Sequence, residues 1–408
     1  MPRPNLMARR SLLQTASFRK ALHRLRSVRD ELQLPAAAKE ERARDRLGLP
    51  SADPGIDRVI DEGIAWLGRA QDGSASRDGG VARDYSLIKG WATSYPETTG
   101  YIVPTMIQYA MLRGDDRTRE RARRMLEWLV GIQFPEGGFQ GGRIDSIPVV
   151  PVTFNTGQIV LGLAAGVKEF GVYREPMRRA ADWLVATQDP DGCWRKYPTP
   201  FALLGDKSYE THVAWGLLEA ARVENEQRYA KAALMNVRWA LANQRPNGWW
   251  ELCCLSDPSR PLTHTLGYVL RGVIEAYRYS GDGDFLAAAR RTGDGLLSTL
   301  GAEGRLAGRF FPDWRPAVDW VCLTGSVQIA HCWLMLYQFT GNSRYRDAGF
   351  LANEYVRRTI RVDGPPESRG GVKGSFPTDG DYGAYEYLSW AVKFCVDVNL
   401  LEREIRSE

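Results

Sequence analysis

The sequence predicts an all-α protein of 408 residues in which twelve helices form six hairpins around a closed ring, an (α/α)6 toroid. Three observations support this fold: a repeated turn segment, two alternating kinds of helix, and connections of two lengths. The repeated segments share a threonine, and these threonines are Thr99, Thr156, Thr211, Thr265 and Thr324. A second series keeps Trp and Gln five positions apart, beginning at Trp66, Trp128, Trp183 and Trp239. The period of 54 to 59 residues between successive threonines indicates stacked supersecondary units.

Each repeat contains one amphipathic helix and one apolar helix. In residues 175–188 the apolar side chains recur at i, i+3, i+4, i+7 and i+8, which predicts an outer helix with one exposed face. Residues 327–339 are apolar almost all round, so the helix that they form must lie inside. An open α-solenoid is the alternative arrangement. Closure is favoured because residues 387–398 end the last repeat with an apolar segment, where a solenoid needs a polar cap.

The connections differ in length at the two ends of the ring. Returns from inner to outer helices are short, as in residues 113–118, whereas crossings from outer to inner helices run for about twenty residues, as in 188–209. Loops longer than about 12 residues are uncommon in compact domains and are usually functional. We therefore expect the main cavity at the rim that carries the crossings. The N-terminal ends of the inner helices converge there and favour an anionic ligand group.

Residues 1–50 differ from the rest of the chain in charge. They hold 12 Lys and Arg against 5 Asp and Glu, so the net charge of +5 comes from this segment. It is predicted to be a basic amphipathic helical extension, followed by one toroid domain in residues 51–408. Residues 12–32 are a candidate for peripheral contact with an anionic membrane, and packing across the outside of the ring is the commoner role of such a stripe. No nucleic-acid partner is expected, because no groove-reading motif accompanies the charge.

The composition also bears on the compartment. No uninterrupted apolar run in the sequence is typical of a secretory signal or a membrane span, which predicts a cytoplasmic protein, membrane-associated if the basic extension binds lipid. The six cysteines, two of them adjacent at Cys253 and Cys254, are typical of reduced thiols. No disulfide is expected.

The turns after the outer helices carry a recognisable motif. Segments QFPEGGF from Gln133, QDPDGCW from Gln188 and QRPNGWW from Gln244 resemble the Gln-x-x-x-Gly-x-aromatic repeat of the prenyltransferase and squalene-oxidase repeat proteins, over roughly residues 55–400. The resemblance implies the terpenoid cyclase-like α/α toroid. The closing segment from Gly370 is similar to that of toroid proteins associated with bacterial polysaccharide biosynthesis, and to uronyl epimerases and lyases, which implies proton abstraction next to a sugar carboxylate.

Other signatures of the superfamily are missing from the sequence. The Asp-x-Asp-Asp motif of squalene-type cyclases does not occur, and Asp115 and Asp116 lie in a short return at the wrong rim. The zinc-binding pattern of protein prenyltransferases is matched only by Asp319 and Cys322 at a different spacing, with Tyr385 where the family's His is expected. No metal and no cofactor are therefore expected.

Acid-base side chains gather at the predicted starts of the inner helices. Tyr, His and Glu are the groups that abstract and return protons near neutral pH. A glutamate in a first helical turn also stabilises the helix dipole without catalysis. The candidate catalytic residues are Glu97, Tyr209, Glu210, His212, His264, Tyr385 and Glu386.

Aromatic and polar side chains on the crossings are candidates for substrate binding. Aromatic rings at this rim would stack on sugar rings, although Trp194 and Trp249 also fit a packing role in the turn motif. The aromatic candidates are Trp91, Tyr95, Trp194, Trp249, Trp250, Trp314 and Tyr382. The polar candidates are Asn155, Arg309, Asp319 and Lys373.

The sequence as a whole favours a carbohydrate-active enzyme. The expected reaction is that of a uronyl epimerase, a lyase or a glycoside hydrolase, on an anionic or lipid-linked saccharide in polysaccharide biosynthesis. Two alternatives stay open: an isoprenoid cyclase-like enzyme with an aromatic interior that stabilises cations, and a binding toroid without catalysis. The expected partner is a saccharide or another small molecule.

Overall fold

The computed structural model describes residues 33–408 as a ring of helices with a short N-terminal helix outside it. The predicted membrane-contact segment, residues 12–32, lies outside the described residues. The thirteen described α-helices are α1 Ala36–Asp45, α2 Ile56–Asp72, α3 Pro96–Arg113, α4 Asp116–Gly131, α5 Thr153–Phe170, α6 Arg174–Thr187, α7 Thr211–Glu224, α8 Gln227–Leu241, α9 Thr263–Ser280, α10 Gly283–Leu297, α11 Leu323–Thr340, α12 Ser343–Thr359 and α13 Ser389–Ser407.

Helices α2 to α13 form the predicted toroid of six inner and six outer helices. The inner helices are α3, α5, α7, α9, α11 and α13, and each packs on the next. The ring closes because α13 packs against α3. Thr105 of α3 donates a hydrogen bond to Asp397 of α13 at 2.6 Å across this seam. The (α/α)6 fold predicted from the repeat is therefore confirmed.

The tight hairpins run from an inner helix to the following outer helix. Helices α3 and α4, for example, are joined by residues 114–115 and pack side by side. The first outer helix, α2, is not preceded in the sequence by an inner helix with which it could form such a hairpin. It packs against the last inner helix, α13, so a pair distant in sequence completes the sixth hairpin.

Five strands of two or three residues connect the crossings at one rim. They are β1 Asp84–Ser86, β2 Gly90–Trp91, β3 Val321–Cys322, β4 Ser375–Phe376 and β5 Glu386–Leu388. Strand β1 pairs antiparallel with β2 and with β5, and β3 pairs with β4. Because β1 belongs to the first crossing and β5 to the last, their pairing closes the ring a second time at this rim.

The turn motif found in the sequence ties successive repeats together. The side-chain amide of Gln188 donates to the carbonyls of Gly192 in its own turn and of Ala232 on the next outer helix, each at 2.9 Å. Gly248, in the next copy of the motif, has φ +84°, and a Cβ there would lie 2.3 Å from the carbonyl oxygen of Arg291. The motif therefore requires glycine for both its conformation and its close contact with the next helix.

Glycines also allow neighbouring inner helices to approach closely. A Cβ on Gly100 of α3 would lie 2.6 Å from the Cα of Ile159, and one on Gly162 of α5 would lie 2.2 Å from the carbonyl oxygen of Gly100. The repeated threonine beside this contact anchors the crossing: Thr99 accepts a hydrogen bond from the backbone N–H of Val81 at 3.0 Å. Both features hold the crossings over the ends of the inner helices.

Helix α1 is fixed to the toroid by a buried ion cluster. Lys373, on the last crossing, contacts Glu41 at 2.8 Å and Asp45 at 2.5 Å, and all three side chains are buried. Asp45 also accepts a hydrogen bond from the backbone N–H of Thr378 at 2.8 Å. Lys373 was predicted to bind substrate. Its ammonium group instead forms ion pairs with helix α1 and does not line the cavity at the crossing rim.

Candidate functional site

A cavity of about 410 Å³ lies at the rim that carries the crossings. Its wall is formed by the first turns of inner helices α3, α5, α9 and α13 and by the crossings above them. The lining includes six of the predicted site residues, namely Tyr95, Glu97, Asn155, Tyr209, His264 and Tyr382. It also includes Arg83, Gly142, Arg143, Ser146, Phe154, Thr199, Phe201, Ala202, Leu255, Tyr268 and Trp390.

The acidic group of this cavity is Glu97, in the first turn of α3. Burial raises the pKa of its carboxyl to about 7, against the lowering effects of a hydrogen bond with Tyr95 and of the charge on Arg83. The pKa of Tyr95 is itself raised, first by burial and then by the neighbouring carboxylate. Glu97 is therefore divided between its charged and neutral forms near pH 7.

The imidazole in the cavity belongs to His264, in the first turn of α9. Its Nδ1 lies 2.8 Å from the side-chain oxygen of Gln328 on α11. Because an amide oxygen only accepts hydrogen bonds, Nδ1 carries the proton in this orientation and Nε2 keeps its lone pair. Burial lowers the pKa of His264 to about 4, so the ring is neutral near pH 7.

Further polar groups and aromatic rings complete the wall. Trp390 donates its indole N–H to the hydroxyl of Tyr382 at 2.9 Å, which leaves the hydroxyl proton of Tyr382 for another acceptor. Asn155 is buried, and its side-chain N–H₂ has no partner among the described residues. The ring of Phe154 contacts those of Tyr209 and Tyr268 at 5.3 and 5.1 Å.

A cation stands at the edge of the cavity, beside Glu97. Arg83 contacts Asp84 at 2.5 Å and Glu386 at 3.0 Å, and it lies over the ring of Trp390 at 5.2 Å. The charges of these two carboxylates raise the pKa of Arg83 against the effect of burial. The arginine is thus charged and held in place by partners on both the first and the last crossing.

Two of the predicted catalytic residues are buried outside the cavity. Glu210 precedes α7, and burial raises its pKa to about 8, with one carboxylate oxygen lacking a described partner. His212 packs in the centre of the ring, where its Nδ1 lies 2.6 Å from Gln158 and its ring contacts Tyr268 at 4.6 Å. The expected common cavity for these residues and His264 is not formed, because successive positions in one helical turn face different directions.

Tyr385 and Glu386 also lie outside the cavity wall. Tyr385 has φ +60°, and its backbone N–H bonds to Thr378 at 2.8 Å. Glu386 begins β5 and reaches the cavity through its ion pair with Arg83. Neither side chain lines the cavity, so the structure does not bring these two predicted catalytic residues together with Glu97 and His264.

The tryptophans predicted to stack on sugars are packed within the protein. Trp194 donates to the carbonyl of Leu184 and Trp250 to the hydroxyl of Thr292. Trp249 contacts Trp314 at 5.3 Å, and Trp314 donates to Asn247. Trp91 is half-buried, and the centre of its ring lies 5.3 Å from that of Trp66. The motif aromatics therefore fix the turns, which is the packing role that the sequence also allowed.

The remaining polar candidates serve the crossings. The guanidinium of Arg309 donates to the carbonyl of Arg260 at 3.0 Å and to Ser256 at 3.2 Å. Asp319 is exposed, and its backbone carbonyl accepts from Arg305. Neither residue lines the cavity, because both belong to crossings beyond its edge.

Several lining residues were not predicted from the sequence. Tyr268 follows His264 by four residues on α9, and this helical spacing places both side chains on one face of the helix. Arg143 and Phe201 lie on long crossings, where no periodicity gives the position of a side chain. Their place in the cavity depends on how the crossings fold over the ring.

Larger depressions occur at the opposite end, so the prediction that the crossing rim holds the main cavity is corrected. They measure about 710 and 850 Å³ and are lined by the middle and C-terminal parts of the inner helices.

Within residues 33–408 no three His, Cys, Asp or Glu side chains are arranged to hold a metal ion. None of the described helices is both long and apolar enough to span a membrane. All six cysteines are buried and unpaired.

Comparison with known sequences finds a family match over the residues that contain the turn motif. Residues 94–272 match the sequence family described as Squalene-hopene cyclase C-terminal domain. A squalene-hopene cyclase from Bradyrhizobium diazoefficiens is 25% identical over 226 residues, which are 51% of this chain and 32% of that protein. The chain spans about a third of the length of this curated relative.

Solved structures share the ring itself. An unsaturated glucuronyl hydrolase specific for heparin matches with a TM-score of 0.69 at 14% identity, covering 88% of this chain and 99% of that one. The cellobiose 2-epimerase of Spirochaeta thermophila matches with a TM-score of 0.68 at 15% identity, covering 88% and 100%. At these identities the likeness establishes the fold. The chain is therefore an α/α toroid, and its residues 94–272 are similar to the squalene-hopene cyclase C-terminal domain.

Proposed function

We propose that the chain is an acid-base enzyme that transfers a proton on a saccharide bound in the rim cavity. The observation that carries the proposal is Glu97, a carboxyl group buried in that cavity with a pKa raised to about 7. A general acid or base is most effective when its pKa lies near the working pH. The structural neighbours include a glucuronyl hydrolase and a cellobiose epimerase, and these two enzymes support the proposal of a carbohydrate-processing enzyme.

The cavity offers a separate task to each polar group. Glu97 accepts the proton, while the hydrogen bond with Tyr95 orients its carboxylate. His264 is too weak a base for that step at a pKa of about 4, and its Nε2 instead accepts a hydrogen bond from a sugar hydroxyl. Tyr382 returns a proton, because its oxygen is held by Trp390 and its hydroxyl hydrogen is available.

The number of carboxylates favours proton transfer over ordinary glycoside hydrolysis. Glu97 is the one carboxylate among the described residues that line the cavity. Most glycosidases need a pair of carboxyl groups on either side of the scissile bond. We therefore favour epimerisation or elimination next to a carboxylate, in which a single base removes the proton.

An anionic sugar fits the electrostatics of the rim. Abstraction of a proton next to a carboxylate builds negative charge on that carboxylate, which cations and N–H groups stabilise. Arg143 lines the mouth with its side chain 45% exposed, and Asn155, whose side-chain N–H₂ has no partner among the described residues, lines the same cavity. The helix N-termini add partial positive charge. A uronic acid unit is the substrate that these groups suit.

Apolar side chains on the neighbouring crossings support a lipid-linked form of this saccharide. Exposed apolar side chains that adjoin a cavity usually serve in binding. Phe201 lines the cavity and is 51% exposed, and a Cβ on Gly142 would lie 2.5 Å from its ring. The others on these crossings are Ile147, Val149, Leu203 and Leu204. A saccharide on a lipid carrier, as used in polysaccharide synthesis, would place its apolar part against them.

The test is proton exchange in heavy water. Oligosaccharides of several uronic acids, free and lipid-linked, are incubated with the protein, and NMR follows deuterium at the carbon next to the carboxylate. We expect exchange with at least one uronic acid, and its loss in Glu97→Gln. Calorimetry is run in parallel with the same saccharides and with isoprenyl diphosphates. Binding of uronic acids without exchange would instead support a binding toroid.

An isoprenoid cyclase-like activity is the second candidate. It is favoured by the match of residues 94–272 and by the aromatic lining of the cavity, which would stabilise a carbocation. Protonation of an alkene needs a strong acid, however, and the raised pKa of Glu97 makes it a weak one. Calorimetric binding of isoprenyl diphosphates alone would reverse our preference.

A further inference from the structure

Two connected depressions lie at the end of the toroid opposite to the rim cavity. The basal cavity, of about 710 Å³, is lined by residues from all six inner helices, among them Thr105, Leu161, Trp215, Arg271, His331 and Lys393. The basal groove, of about 850 Å³, is lined chiefly by α3 and α13, with Ile107, Met111, Leu112 and Leu400. Their walls share Pro104, Gln108, Ala165, Lys168 and Glu404.

The deepest charge in the basal cavity belongs to Lys393 of α13. Its side chain is 2% exposed, and its Nζ lies 2.5 Å from Asp397 and 4.4 Å from the ring of Phe394. An ammonium group has three N–H donors, and among the described residues Asp397 is its one hydrogen-bond acceptor. Burial lowers the pKa of Lys393 in spite of this ion pair. A further negative charge would therefore relieve the cost of its desolvation.

A second cation, Arg271 of α9, faces the same cavity. Its Nε donates to Glu275 at 2.9 Å and its Nη1 to Nε2 of His331 at 3.3 Å. The guanidinium carbon lies 4.2 Å from the centre of the Trp215 ring, a cation–π contact. Within residues 33–408 its Nη2 has no acceptor. Arg271 and Lys393 thus present spare donors to the same cavity.

The basal groove continues this space with an apolar surface. Met111 is 71% exposed and Leu112 is 48% exposed, whereas Ile107 between them and the cavity is buried. Exposed apolar side chains that form a patch beside a cavity usually mark a binding surface. The polar cavity and the apolar groove share a wall, so one molecule with a polar and an apolar end can occupy both.

We propose that this end of the toroid binds an amphiphile, with an anionic head between Lys393 and Arg271 and a hydrocarbon chain along the groove of Met111 and Leu112. The negative ends of the inner helices do not oppose this placement. Arg271 lies nine residues before the end of α9 at Ser280, or about 14 Å, and the dipole effect is confined to the last turn. The site is separate from the rim cavity and does not depend on the function proposed for it.

Calorimetry with three probes tests the two halves of the site. Decyl phosphate carries head and chain, inorganic phosphate carries the head alone, and decanol carries the chain alone. We expect decyl phosphate, below its micelle concentration, to bind at least about tenfold more tightly than either other probe. Weak binding of inorganic phosphate with the same Kd as decyl phosphate would reveal a free-anion site and overturn the proposal. Equal binding of decanol and decyl phosphate would overturn it too.

Variants of residues in the two depressions test where decyl phosphate binds. Met111→Glu should weaken decyl phosphate about tenfold and leave inorganic phosphate unchanged, because a carboxylate in the groove repels the chain. Arg271→Gln should weaken both phosphates. Val172→Glu, at a residue 53% exposed outside both depressions, is the matched control and should change neither. If Arg271→Gln does not fold, the affinities of Met111→Glu and Val172→Glu for decyl phosphate still test the proposal. Equal affinities in these two variants would refute the site.

Discussion

At the scale of single residues, the main result is that two buried glutamates with similar electrostatics occupy different places. Burial raises the pKa of Glu97 to about 7 and that of Glu210 to about 8. Glu97 lines the rim cavity, whereas Glu210 does not. A raised pKa is therefore not enough to identify a catalytic group here. Access to the cavity separates the two, and the pair provides matched variants.

The first prediction concerns turnover in these variants. Glu97→Gln should lower kcat/KM by about 10² or more, the usual loss for a general base. Glu210→Gln should keep turnover within about twofold, since it changes the same chemical group outside the cavity. Kinetics on the uronic substrate found by deuterium exchange measures both. Equal losses in the two variants would contradict the assignment of Glu97.

The second prediction concerns the pH dependence of the wild-type enzyme. A base with a pKa of about 7 is ionised above that pH, so kcat/KM should rise as pH passes through about 7 and then level. His264, with its pKa lowered to about 4, should add no inflection between pH 6 and 9. Initial rates across this range check the profile. A decrease of kcat/KM through pH 7 would make Glu97 the acid instead of the base.

The third prediction concerns stability. The pKa of Glu97 rises from 4.5 to about 7 on folding. The protonated form is thus favoured in the folded state, and the benefit is complete below about pH 4.5 and lost as pH rises through about 7. Glu97→Gln should therefore match the wild type near pH 4.5 and exceed its free energy of unfolding by up to about 3 kcal/mol above pH 8. Denaturant titrations at both pH values measure this, and a constant difference would exclude the linkage.

At the scale of secondary-structure elements, the turn motif shows why the repeat keeps its glycine. Gly248 combines a left-handed backbone with contact against the next outer helix, since a Cβ would meet the carbonyl of Arg291. Gly281 ends α9 with φ +72°, and a Cβ there would have nothing within 4 Å. The two positions share the conformation and differ in the contact. At Gly248 the next repeat therefore leaves no room for a side chain.

The fourth prediction compares alanine at these two glycines. Gly281→Ala should cost about 1 to 2 kcal/mol of unfolding free energy, the penalty of the left-handed region. Gly248→Ala should cost more, by at least about 2 kcal/mol, because the backbone of the next helix must also move. Thermal and denaturant unfolding of the two variants gives the difference. Equal costs would mean that the next helix can make room for a Cβ at position 248 without loss of stability.

At the scale of the whole molecule, ring closure depends on contacts between the two ends of the toroid. Helix α2 packs on α13, β1 pairs with β5, and Arg357 joins the start of the toroid to its end. Its guanidinium, 2% exposed, contacts Asp53 and Glu402 at 2.8 Å each. Removal of the arginine would leave Glu402 with Arg406 of its own helix as its remaining cation. The link between Asp53, α12 and α13 therefore depends on Arg357.

The fifth prediction tests this seam. Arg357→Met should lower the free energy of unfolding by about 3 to 5 kcal/mol, the usual effect of breaking a buried ion pair. Arg315→Met is the control, because its pair with Asp313 is 73% and 54% exposed and should contribute less than about 1 kcal/mol. Chemical denaturation of both variants decides. A small effect at Arg357 would show that helix packing closes the ring without this pair.

The sequence by itself determined the fold, the rim and part of the site. Helical periodicity and the repeat spacing depend on neighbouring residues, so six hairpins, the buried inner helices and the turn glycines followed from local pattern. The same pattern placed Glu97 and His264 in the first turns of inner helices, where both line the rim cavity. The spacing of four residues from His264 also places Tyr268 on the same face of α9.

Tertiary structure decided which of the polar candidates face the cavity. Glu210 and His212 occupy one helical turn yet point away from the cavity, and Lys373 is taken by Glu41 and Asp45 of helix α1. Arg143 reaches the mouth through the fold of a long crossing. These outcomes depend on the packing of segments far apart in sequence, and therefore on contact energies that no local period records. For the same reason the cavity at the opposite end was visible only in the assembled ring.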